Sequence, residues 1–198
     1  MIAHTPVPLD GLRNARAATR DADRHRGGVN AWGNSFPAEE LPFGAALRVG
    51  GIPFVLPPVD GEHDHVETLG QAIRIPPASP SLGVALLCFG EMGDQALGVD
   101  LYGHGGEHLP LVARAKGWLV PRGEAPADAH VCSHLHYPGG YELDPLRPAL
   151  WCSASRWEAP VAAALLRLGI NPLFHLVAVT LLHAAPGAAE APRAAHGG

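Results

Sequence analysis

Residues 82–89 read Leu-Gly-Val-Ala-Leu-Leu-Cys-Phe, LGVALLCF. The run carries no charge and lies between Pro76-Pro77 and Gly90. An apolar stretch of this length, closed by turn residues, reads as a strand buried on both faces. Working outward, similar runs recur. AALRV (Ala45–Val49) and IPFVL (Ile52–Leu56) flank Gly50-Gly51, a hairpin signal. QAIRI stops at Pro76-Pro77, ALGVDLY (Ala96–Tyr102) alternates and ends at Gly103, and HLPLVA (His108–Ala113) and GWLV (Gly117–Val120) follow. AHVCSHLHY (Ala129–Tyr137), PALWCSAS (Pro148–Ser155) and LFHLVAVTLL (Leu173–Leu182) add three more. VAAALLRL (Val161–Leu168) fits a helix by composition and a strand by its position between two strands. About ten short strands with turn signals between them predict an all-β fold, a two-sheet sandwich or a barrel. No strand–helix–strand rhythm is present, which disfavours α/β folds.

The bulk numbers agree. The chain has 198 residues, enough for one domain with a substantial core. Its 24 glycines and 20 prolines are far above ordinary usage and argue against long helices. Residues 29–183 are expected to form the folded body. Residues 1–28, rich in Arg, Asp and Ala, are expected to be a flexible arm with a short helical segment near Leu12–Arg20. Residues 184–198 are expected to be a disordered Ala/Pro/Gly tail.

Several function classes drop out. A net charge of -5, with Lys116 the only lysine and no basic run, disfavours nucleic-acid binding. No apolar run approaches a membrane span, and the start lacks the apolar core of a signal peptide. Three cysteines, an odd number, predict reduced thiols and a cytoplasmic location. There is no Gly-rich phosphate loop, G-x-S-x-G, C-x-x-C or H-E-x-x-H.

Chemistry concentrates in two H-x-H pairs, His63/His65 in EHDHVE and His134/His136 in CSHLHY. On a strand, residues i and i+2 share a face about 7 Å apart, so each pair presents two imidazoles to one ion. If the four histidines bind a metal, nitrogen and oxygen ligation points to Zn, Fe, Mn or Ni. Asp64, Glu142, His104 or His108 would supply a further ligand, and Glu142 or Asp64 would act as base. The same strand logic puts His130 and Cys132 on the face of His134 and His136, opposite Val131, Leu135 and Tyr137. The competing reading is a solvated face of histidines and an inert core thiol. Trp32, Tyr137 and Tyr141, beside Gly/Pro turns, are the rings expected to be exposed for stacking on a sugar. Trp151 is expected to pack.

The phrases NAWGNSFPAEELPFGAALRVGGIPFVLPP (Asn30–Pro58), HDHVETLGQAIRIPP (His63–Pro77), CSHLHYPGGYELDP (Cys132–Pro145) and INPLFHLVAVTLL (Ile170–Leu182) occur in an order that resembles an actinobacterial β-sandwich module. That module is found alone and appended to carbohydrate-active enzymes. The resemblance implies a galactose-binding-domain-like, antiparallel jelly-roll sandwich that binds a small polar ligand, with a carbohydrate as the candidate; it transfers no catalytic residue. The ligand site would combine Trp32, His63, Asp64, His65, His134, His136, Tyr137, Tyr141 and Glu142. Two alternatives stand beside it: a metal-dependent enzyme of bacterial specialised metabolism on the same scaffold, and an assembly module that forms a homodimer through a sheet face.

Overall fold

The computed structural model describes residues 2–58, 62–140 and 145–184. Among these the chain forms fifteen strands in order: β1 (Ile2–Val7), β2 (Ala18–Thr19), β3 (Phe36–Pro37), β4 (Ala46–Val49), β5 (Ile52–Val55), β6 (Val66–Leu69), β7 (Ala72–Arg74), β8 (Ser81–Gly90), β9 (Gln95–Gly103), β10 (His108–Ala115), β11 (Leu119–Pro121), β12 (Ala129–Val131), β13 (Leu146–Val161), β14 (Ala163–Leu168) and β15 (Ile170–Ala184). Two 3₁₀ turns, Asp21–Arg26 and Ala38–Glu40, are the only helical segments among the described residues.

The largest sheet runs β1-β15-β8-β13-β11, with β6 added to β15 and β12 to β13. A second sheet runs β10-β9-β14-β7. Pairing is antiparallel throughout both sheets. LGVALLCF lies in β8, the central strand of the large sheet, and alternation gives it two cores. Val84, Leu86 and Cys88 pack with Leu97, Val99, Leu101 and Leu166 of the second sheet. Ala85, Leu87 and Phe89 face the other way, onto Phe36, Phe54, Trp118 and Leu135. The second core is roofed by loops and two short ribbons, parallel β2-β3 and antiparallel β4-β5.

The Gly50-Gly51 hairpin forms as expected. Val49 pairs with Ile52, and both glycines have positive φ, 58° and 77°, as a two-residue turn between twisted strands requires. VAAALLRL resolves to a strand because β14 fills the gap between β9 and β7. AHVCSHLHY ends as a strand at Val131, after which the chain is irregular to Tyr137.

The expected flexible arm, residues 1–28, is corrected. Ile2–Val7 pairs residue by residue with Ala184–Val179, using backbone groups that its unremarkable side chains do not advertise. Residues 13–18 are sewn onto Pro58 and residues 62–67. The Asn14 side chain donates to Glu67 O (3.2 Å) and accepts from Glu67 N–H (2.8 Å), and the Arg13 guanidinium donates to the carbonyls of Pro58 and His63. The segment near Leu12–Arg20 is therefore extended rather than helical. The expected tail lies, from residue 185, outside the described residues.

Candidate metal centre

The irregular segment after β12 is held by main-chain pairing with Ser35. Ser35 N–H donates to His136 O and His136 N–H to Ser35 O, at 3.1 and 3.0 Å. The next two residues, Phe36–Pro37, pair with β2, so Thr19, Ser35 and His136 stand side by side. Thr19 Oγ1 lies 2.6 Å from Ser35 Oγ and 3.0 Å from His136 Nδ1. Beyond β2 the 3₁₀ turn begins with Asp21, whose Oδ1 comes within 3.2 Å of His136 Nε2.

His134 arrives from the same segment, its Nε2 3.1 Å from His136 Nε2. Behind it stands Glu40, at the end of the turn Ala38–Glu40. Glu40 Oε1 accepts from His134 Nδ1 (2.9 Å) and from Ser133 Oγ (2.5 Å), and Oε2 accepts from Ser133 N–H (2.6 Å). The carboxylate fixes the His134 tautomer, with hydrogen on Nδ1 and a lone pair on Nε2. When the Thr19 hydroxyl donates to Ser35, it accepts from His136 Nδ1–H, and the second Nε2 lone pair turns to the same point. Asp21, His134 and His136 are the group of three side chains among the described residues whose ligand atoms converge closely enough for one ion.

Burial, and then the Arg24 charge, hold His136 below the usual imidazole range, in the neutral form a metal needs. The Arg24 hydrogen bond (2.5 Å) lowers the Asp21 carboxyl and keeps it ionised. Glu39 Oε1 accepts from Asp21 N–H (3.3 Å), adding a third carboxylate to the surroundings. Gly27 closes the turn that carries Asp21, and a Cβ there would stand 2.5 Å from Gly33 O and 2.7 Å from Ser35 Oγ. Gly27→Ala is expected to cost about 1–3 kcal/mol through overpacking and to displace Asp21. Thermal melts and metal titration of the variant check both parts.

The other H-x-H pair does something else. Residues 63–65 form no strand, so His63 and His65 do not share a face. His63 is exposed and lines a cleft, whereas His65 is buried. Asp64 turns inward, one oxygen accepting from Ala17 N–H and the other from Ala18 N–H, both at 2.8 Å. It also accepts from His65 Nδ1 at 2.8 Å. Both oxygens are thus engaged, and Asp64 is a clamp rather than a free base. His65 Nε2 then accepts from His175 Nδ1 at 3.0 Å, and His175 stacks on Phe89 with ring centroids 4.5 Å apart. His175 Nε2 is left without a partner, with Glu91 Oε2 at 3.7 Å. Burial drives His175 down to about 3 and raises the Glu91 carboxyl.

The four-histidine set therefore separates into two constellations. His134 and His136 converge with Asp21, a ligand the sequence did not suggest, while His65 joins His175. Thr19 and Glu40, which orient the rings, gave no sequence signal either. His108 bonds Asp100 (2.8 Å) and stacks on Tyr102 in the second sheet, and His104 is exposed at the same hairpin. Tyr141 and Glu142 lie outside the described residues. Trp32 is 75% exposed, as expected for a stacking ring. Tyr137 is only 4% exposed and packs in the core beside Leu135, so it offers no platform. Trp151 packs in the same core. Cys132 is buried too, and burial pushes its thiol up, which makes it inert and not a fourth member of a histidine face. Cys88, Cys132 and Cys152 are all free thiols.

The fold and this site define an all-β sandwich with two histidines and a carboxylate converging beside the β2-β3 ribbon. A family model described as the AziU2-like beta-sandwich domain matches residues 3–185, and the chain belongs to that family. The match takes in β1, in keeping with its place in the large sheet. No curated protein matches the chain. No helix among the described residues is long and apolar enough to cross a membrane.

Proposed function

We propose that Asp21, His134 and His136 bind one divalent first-row metal ion, and that the protein uses it on a small polar ligand. The observation that carries this reading is the meeting of two imidazole Nε2 atoms at 3.1 Å, each ring held from behind at Nδ1. A shared proton fills such a gap, and so does a metal ion. The hydrogen-bonded outer groups and the neighbouring carboxylates favour the ion. Two histidines and one carboxylate suit Zn, Fe, Mn or Ni and leave open positions for water or substrate. An ion so held acts as a Lewis acid or activates a bound water. Arg24 donates to Asp21 Oδ1, the same oxygen that lies nearest His136 Nε2, so a bound ion would share this carboxylate with the guanidinium.

Carbohydrate binding is the second reading, and the exposed Trp32 ring supports it. Metal analysis separates the two. Untagged protein, stripped with chelator and titrated with Zn²⁺ or Mn²⁺, is expected to take up one ion per chain. His134→Ala and His136→Ala are expected to abolish uptake. Glu40→Gln keeps the ligands and removes the carboxylate behind His134, so it is expected to weaken binding by about 10–100-fold. Full uptake by the alanine variants would overturn the proposal.

A further inference from the structure

We infer that the cleft on the far side of Thr19 is a binding site for a small organic anion, a carboxylate or phosphate carried on a partly apolar body. The cleft has a volume of about 170 Å³. That is many times the roughly 10–15 Å³ a single water needs, and it leaves room for one small organic molecule. Its apolar wall is Ala18, Ala38 and Phe43, and three arginines, Arg16, Arg20 and Arg26, line it as well. An adjoining, more open cavity shares Arg16, Arg26, Glu62 and His63 and leads outward to solvent.

Three acids also line the cleft, and their hydrogen bonds decide its charge. Asp64 spends both oxygens on Ala17 and Ala18 N–H, with His65 on Oδ1. Asp23 Oδ1 accepts from Arg20 N–H at 2.7 Å, and its Oδ2 lies 3.8 Å from Arg16 Nη1. Arg16 is further pinned through Nε to Glu62 O (3.3 Å). Only the Glu62 carboxylate is left to face the cavity. The Arg26 side chain makes no hydrogen bond or ion pair among the described residues, and Arg20 and Arg26 are both exposed. Three guanidiniums and three carboxylates balance in formal charge, but Asp23 and Asp64 have their acceptor oxygens committed, so the guanidinium donors of Arg26 are left over for an incoming anion. A guanidinium presents a planar fork of donors that fits the two oxygens of a carboxylate or phosphate, whereas a neutral sugar has no matching charge.

The placement ties this cleft to the metal centre. Thr19 lines the cleft and hydrogen-bonds His136, and the next residues, Arg20 and Asp21, serve one site each. The inference deepens the metal reading by naming the class of ligand that would approach it. The test uses metal-free protein, so each claim can fail alone.

Calorimetric titration in the presence of chelator uses three probes of one shape: benzoate, phenyl phosphate and neutral benzamide. At least one of the two anions is expected to bind saturably, and at least about ten times more tightly than benzamide. Which anion binds more tightly identifies carboxylate or phosphate as the head group. Arg26→Gln, an exposed position, is expected to weaken that anion by about tenfold or more. Glu62→Gln, which removes the competing charge, is expected to tighten it by a few fold. Melting curves check that both variants keep the fold. Absence of saturable anion binding, equal binding of benzamide, or affinities unmoved by both substitutions would overturn the inference.

Discussion

Asp64→Ala is expected to lower the stability of the fold by about 4 kcal/mol, although Asp64 lies on no strand and next to an exposed histidine. The substitution strips acceptors from Ala17 N–H, Ala18 N–H and His65 Nδ1 at one stroke. A buried donor left unmatched costs about 1–3 kcal/mol, and two of the three serve residues that are themselves buried, Ala17 and His65. For a chain of this size that corresponds to a fall in Tm of about 10 °C. Asp64→Asn keeps one acceptor oxygen and is expected to recover about half the loss. Urea melts of the three proteins measure it. A loss below about 1 kcal/mol for the alanine variant would show that the clamp between residues 17–18 and 64–65 is not structural.

The second large effect is a loss of stability in acid that traces to His175. In the fold its imidazole titrates near 3, because burial disfavours the charged form and the neighbouring His65 adds to this. In the unfolded chain it titrates near the ordinary 6.5. As pH falls below 6.5 the unfolded chain takes up a proton that the folded protein refuses, so the fold loses stability, and the loss levels off below about 3. One proton at 1.36 kcal/mol per pH unit gives about 3 kcal/mol between pH 6.5 and pH 4. The groups facing His175 are His65 at Nδ1, the Phe89 ring and, at 3.7 Å, Glu91. His175→Phe keeps the ring stack and removes the titration. Its melting temperature is expected to decline less steeply with acid over this window than that of the wild type. Parallel declines would assign the acid sensitivity to other groups.

How far the sequence spoke depends on which physical signal each element used. β8 was legible because an uninterrupted apolar run can only be satisfied by burial on both faces, and the structure gives it two cores. The Gly50-Gly51 hairpin was legible because both positions need positive φ. β1 was not, since IAHTPV buries only Val7 of its six residues and is held by main-chain bonds to β15. Backbone pairing leaves no mark in side-chain composition. The count of about ten strands fell short of fifteen at β1, β2, β3 and β6, of which β2 and β3 are only two residues long.

The site divides along similar lines. Spacing of i and i+2 found His134 and His136, and they do converge, though on an irregular segment rather than a strand. The same spacing misread His63 and His65, because Asp64 turns inward to meet two backbone amides and rotates its neighbours apart. Asp21 could not be found by spacing at all. It reaches the histidines through β2, β3 and Ser35, a chain of tertiary contacts that no local pattern encodes.

The most direct measurement is nitrogen-15 NMR of histidine-labelled protein during a Zn²⁺ titration. The Nε2 resonances of His134 and His136 are predicted to shift together and to saturate at one ion per chain, with those of His63, His65 and His175 unchanged. Shifts at His63 or His65, or no shift at His134 and His136 with excess Zn²⁺, would contradict a metal centre built from Asp21, His134 and His136.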